Sequence, residues 1–139
     1  DPAKVGAQVR GVAKKLDILD ILPKFPYQVS GGQKQRAACA RAMVAGQSLL
    51  LADEPTGALD SKAAESLLAQ FQEINGAGQT ILMVTHSTQA ASRAKRVLFI
   101  KDGKVFHQIY KGSSTNEEMY QKISDTLTVI TTGGKKETA

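Results

Sequence analysis

The chain has 139 residues, 42% hydrophobic and 22% charged, with a formal net charge of +5, enough for one domain with a real core. Its strongly apolar runs, 49–52, 81–84 and 97–100, fall far short of the roughly 18 residues of a membrane span. No secretory signal pattern is present, and a single cysteine, Cys39, rules out an internal disulfide and fits a reducing compartment.

Lys and Arg are spread along the chain and aromatics make up only 5% of it, so a nucleic-acid stacking surface is poorly supported. The first residue is Asp1 rather than methionine, which suits a piece of a longer protein. Val5, Val9, Val12, Leu16 and Leu19 recur at helical spacing and predict a helix from Pro2 to about Leu19. Pro23 and Pro26 interrupt it. Ser30 is a good N-cap for a second helix, about 31–45, with Gly46 ending it.

The run 48–52 reads as a strand buried on both faces. Asp60 or Ser61 caps a helix to about Ile74, with Leu67, Leu68, Phe71 and Ile74 inward. A second buried strand is predicted over 80–85, then a short helix capped by Ser87 or Thr88. Asp102-Gly103 joins two strands, 96–101 and 104–110, as a hairpin. A last helix is expected over about 116–127, followed by a polar, mobile tail from Thr131 to Ala139. Strands alternating with helices, then a hairpin, indicate an α/β domain with a mostly parallel sheet.

Three short segments can carry chemistry. The apolar strand delivers Asp53 and Glu54 at its C-terminal end, where α/β sheets place ligands. Side chains alternate along a strand, so the two acids can take different tasks: Asp53 for Mg²⁺, Glu54 for orienting water onto a γ-phosphate. Ser30-Gly31-Gly32-Gln33 opens a helix, whose unpaired amides and small residues suit phosphate. His86 follows the second strand and can hydrogen-bond a phosphate oxygen and its attacking water. Each has an ordinary reading taken alone: a solvated acid pair, a capped turn, a surface histidine. Ala58-Leu59-Asp60 is explained by a turn and a cap.

Their order is the specific signal. Residues 29–36, V-S-G-G-Q-K-Q-R, resemble the signature motif of the ATP-binding cassette (ABC) ATPases. Residues 49–54, L-L-L-A-D-E, resemble its Walker B motif, Ala58-Leu59-Asp60 its D-loop and His86 its switch histidine. The resemblance implies a P-loop NTPase-like, RecA-like core of mostly parallel sheet with a helical subdomain. Residues 1–46 would supply part of that subdomain and 47–130 the C-terminal part of the core.

The resemblance further implies ATP and Mg²⁺ as cofactors, with Asp53 as metal ligand and Glu54 and His86 as catalytic residues. Ser30, Gly31, Gly32 and Gln33 would act on the nucleotide of a second nucleotide-binding domain in a head-to-tail dimer, and Asp60 would communicate across it. Transmembrane permease subunits, no nucleic acid, and a cytoplasmic position at the inner face of the cell membrane complete the expectation. Residues 52–60 look like the macrolide-export and lipoprotein-release group. Residues 97–104 and the helix 117–127 look more like bacitracin-type peptide exporters.

One departure matters. The phosphate-loop pattern G-x-x-x-x-G-K-S/T is not present: Lys104 is followed by Val105, and Lys135 by Lys136. The adenine-stacking aromatic and the Q-loop, which the family places before the signature, are also missing. The chain is therefore expected to be the C-terminal portion of a longer ATPase, and on its own to bind ATP weakly without turning it over. A non-transport ABC ATPase and a non-catalytic interaction domain remain as alternatives. The intact set Asp53, Glu54 and His86 argues against the latter.

Overall fold

The computed structural model describes residues 1–133. The chain forms two compact units, one of Asp1–Val84 and one from Thr85 onward.

In the first unit, Asp1 caps α1 (Pro2–Lys15) by accepting the Ala3 N–H at 3.1 Å. α1 stops short of Leu19 because Asp17 adopts the left-handed region, with φ 54. The Asp17 N–H donates to the Lys14 carbonyl at 3.2 Å, and the Ile18 N–H reaches the Ala13 carbonyl at 2.9 Å. This is a Schellman stop, with aspartate in the place glycine usually takes. Ala13, Leu16 and Ile18 enter the core, while Val5 and Leu19 are exposed. The expected apolar stripe is thus packed only at its C-terminal end.

Two single 3₁₀ turns, Leu19–Ile21 and Pro26–Gln28, lead to α2 (Gly31–Val44). After Gly46, at φ 70, comes β1 (Leu49–Asp53). α3 (Ser61–Gly76) then crosses to β2 (Thr80–Val84). The two strands pair in parallel, Leu49 opposite Thr80 and Asp53 opposite Val84. α3 ends in a second Schellman stop: Gly78, at φ 108, donates to Asn75, and Gln79 to Ile74.

The core gathers Leu16, Ile18 and Ile21 with Cys39, Leu50, Leu67, Phe71 and Ile74. Burial pushes the Cys39 thiol up to about 11, so it packs as a small neutral side chain. Both strands were expected to be buried on both faces, and this does not hold. Leu50 is 5% exposed, but Leu51 is 69% and Val84 58% exposed, with Leu49 and Leu82 also open. The helices pack on the Leu50 face, and among the described residues of this unit nothing covers the other.

In the second unit, Ser87 caps the four-residue α4 (Thr88–Ala91). β3 (Arg96–Lys101) and β4 (Lys104–Tyr110) form an antiparallel hairpin. Asp102 and Gly103 both have positive φ, 51 and 73, as a type I′ turn requires. The register shifts between Phe99 and Ile100: Phe99 faces His107 but Ile100 faces Val105, which leaves Phe106 as the extra residue of a bulge.

α5 (Asn116–Thr132) begins in a capping box: Thr115 Oγ1 accepts from Glu118 N, and Glu118 Oε2 from Thr115 N. Its Met119 and Ile123 pack on Phe99 with Val97, Ile109 and Ala91 around them. Lys111 Nζ ties the unit together by donating to the Ser92 carbonyl at 2.8 Å and to Asn116 Oδ1. Burial, then the Arg93 charge, lower its pKa. α5 runs past the expected end near Leu127, so Thr131 and Thr132 are helical rather than tail. The remainder of the expected tail, 134–139, lies outside the described residues.

Candidate functional site

Ser30 and Gln33 form a reciprocal capping box. Ser30 Oγ accepts the Gln33 N–H at 3.2 Å, and Gln33 Oε1 accepts the Ser30 N–H at 2.9 Å. The first α-type bond of the helix runs from Lys34 N–H to the Ser30 carbonyl at 2.9 Å. The amides of Gly31 and Gly32 therefore precede the helix ladder and have no intrahelical acceptor. With the Ser30 hydroxyl hydrogen and the Gln33 NH₂ they form a set of donors at the positive end of the helix dipole.

This helix start abuts the next one. A Cβ on Gly31 would lie 3.8 Å from Leu59 Cδ2, and one on Gly32 would lie 3.4 Å from Ala63 Cβ. A Cβ on Gly32 would thus come against α3 at van der Waals distance. The segment it meets is capped by Asp60, whose Oδ1 accepts the Ala63 N–H at 2.8 Å. Asp60→Ala is expected to lower the stability of this unit by about 1 kcal/mol, while Asp60→Asn stays near the parent. A shift in the urea midpoint for alanine alone is the result that checks it. Equal midpoints for all three chains would refute the cap.

Asp53 is the last residue of β1 and is exposed. Glu54 leaves the strand in the left-handed region, with φ 44. Its own N–H still donates to the Val84 carbonyl at 2.8 Å, and its carbonyl accepts from Gly57 at 3.1 Å. Pro55 follows and disfavours the right-handed helical region for Glu54. The acids are therefore separated by a backbone reversal and not by simple strand alternation. A non-glycine residue in this region carries a strain on the order of 1–2 kcal/mol, as functional positions often do. A Cβ on Gly57 would sit at van der Waals distance, 3.4 Å, from the Glu54 carbonyl oxygen.

The structure thus brings together Ser30–Gln33 with Leu59–Ala63, and it sets Asp53 and Glu54 at the C-terminal end of the parallel pair. His86 is exposed and belongs to the second unit. Beside it, the Ser87 N–H donates to Thr85 Oγ1 at 3.0 Å, and Ser87 Oγ accepts from Ala90.

No group of three or more His, Cys, Asp or Glu side chains able to hold a metal occurs among the described residues. Asp53 still suits Mg²⁺ in its usual mode, one or two carboxylates plus phosphate and water. The reversal at Glu54 has no local signal, because Pro55 favours extended backbone before it and not a positive φ. The close approach of Gly32 to Ala63 has none either.

The sequence profile of the family described as "ABC transporter" matches residues 4–57. The chain is 45% identical over 130 residues to the ABC transporter ATP-binding protein YxdL of Bacillus subtilis, covering 93% of this chain and 50% of YxdL. It is 48% identical over 120 residues to the bacitracin export ATP-binding protein BceA of Halalkalibacterium halodurans, covering 86% of this chain and 47% of BceA. It also resembles the dimeric ATP-binding cassette MJ0796 bound to ADP and Pi. The TM-score there is 0.63 at 34% identity, over 75% of this chain and 46% of that one.

The fold is that of an ABC ATPase cassette, a P-loop NTPase fold with a parallel sheet. The chain belongs to the family of ABC transporter ATP-binding proteins. It spans about half the length of the curated relatives it matches.

Proposed function

We propose that this chain supplies part of an ATP-hydrolysing subunit that drives an ABC transporter, working from the cytoplasmic side of the membrane. The reading is supported most by Glu54, held in a strained left-handed turn at the end of a parallel strand. Strain of this kind clusters at functional sites.

In this reading Glu54 orients and polarises the attacking water, and His86 is a catalytic histidine that hydrogen-bonds phosphate. Asp53 holds Mg²⁺, which neutralises developing phosphate charge when bound. The Gly31 and Gly32 amides, with Ser30 and Gln33, receive the phosphates of a nucleotide held by a second cassette. Asp60, beside them, faces that partner. Residues 1–46 belong to the helical subdomain and 47–130 to the core, with the phosphate loop supplied from outside these residues.

MJ0796 is described as a dimeric cassette, and relatives such as MacB of Campylobacter jejuni as combined ATP-binding and permease proteins. Both support a cassette dimer and membrane permease partners here. BceA is described as a bacitracin exporter, which favours export of a peptide antibiotic. Among the described residues no helix is long and apolar enough to cross a membrane. The test is phosphate release from Mg-ATP by the full-length protein, with Glu54→Gln as the deciding variant.

A further inference from the structure

Arg36 lies on α2, below the Ser30–Gln33 start, and Ser66 lies on α3, below Asp60. Arg36 Nη2 donates to Ser66 Oγ at 2.6 Å in a half-buried setting. Above this bond the two helix starts lie so close that a Cβ added to Gly31 would meet Leu59 Cδ2 at 3.8 Å and one added to Gly32 would meet Ala63 Cβ at 3.4 Å. Close approach above and a directional bond below fix both the separation and the relative rotation of the two helix ends.

Arg36 Nε is buried with no hydrogen-bond partner among the described residues, and a buried unmet donor offsets much of what the Ser66 bond contributes to stability. What remains is geometric. We infer that Arg36 is a positioning residue, which pins the Ser30–Gln33 helix start to the Asp60-capped segment so that both meet a partner's nucleotide as one rigid edge. The inference rests on the function proposed above.

Arg36 touches no nucleotide in this account, so its loss misplaces donors used in the transition state more than it weakens ATP binding by the same subunit. Displacements of about 1 Å cost up to roughly a hundredfold in rate, and a change in hinge freedom costs less. In the full-length protein, Ser66→Ala and Arg36→Gln are each expected to lower kcat about tenfold, with KM for ATP within about twofold. Ser66→Thr keeps the acceptor and retains the parent rate. Arg36→Gln combined with Ser66→Ala falls no further than either alone, because one interaction has been removed.

Unchanged kcat in Ser66→Ala overturns the inference, and this small change guards against Arg36→Gln simply unfolding. A raised KM with kcat intact, or additive losses in the double variant, also overturns it. Parent hydrolysis insensitive to Glu54→Gln is a different failure, since it removes the proposed function itself.

Discussion

Glu54→Gln is expected to cut steady-state ATP hydrolysis by the full-length protein at least about a hundredfold, the usual scale for losing a group that orients and polarises a nucleophile. The substitution is nearly isosteric. It leaves the main-chain bond from residue 54 to the Val84 carbonyl and the turn closed by Gly57 in place. What it removes is one of the two carboxylates at the end of β1, leaving Asp53. Nucleotide affinity is expected to hold or rise, because the glutamine no longer repels phosphate. Phosphate release and equilibrium nucleotide binding, measured side by side, separate the two effects. Hydrolysis within twofold of the parent would show that Glu54 is a structural turn residue and no more.

Leu67→Ala is expected to destabilise the first unit by about 2–5 kcal/mol, whereas Leu51→Ala is expected to stay within about 0.5 kcal/mol. Leu67 is 1% exposed and, with Phe71 of the same helix, enters the core that contains Leu50, so truncation leaves a cavity. Leu51 is 69% exposed on the opposite face of β1, so its truncation leaves none. Urea unfolding of the 139-residue chain, followed by far-UV circular dichroism, compares them directly. If the two variants lose similar stability, the second face of the sheet is covered in solution.

Much of this architecture is legible in the residues because helix starts and tight turns are written locally. Ser30, Asp60 and Ser87 each announce a cap, and each caps. Asp102-Gly103 announces a hairpin by its tolerance of positive φ, and the hairpin is there. Helix ends are less readable when glycine is not used. Asp17 stops α1 in a conformation any sequence rule would assign to glycine first, so the periodic Leu19 drew the helix too far.

Apolar runs carry a second ambiguity. Residues 48–52 and 80–85 read as doubly buried strands, yet one face of each is open. An apolar side chain declares that burial is favourable, not which element provides it. The site divides in the same way. Its chemistry-bearing residues are named by motif order, but the Arg36–Ser66 bond and the close approach of Gly32 to Ala63 join positions some thirty residues apart in sequence, and nothing local encodes them.

The left-handed turn at Glu54 has one more consequence, for selection. Glycine and asparagine relax such a backbone, and so does aspartate, which takes it at Asp17 and Asp102, but none of them keeps the carboxylate at the reach of glutamate. A population screened only for heat tolerance would drift toward them at this position, gaining a more comfortable main chain and losing the glutamate. Only a screen that also scores turnover would keep glutamate there.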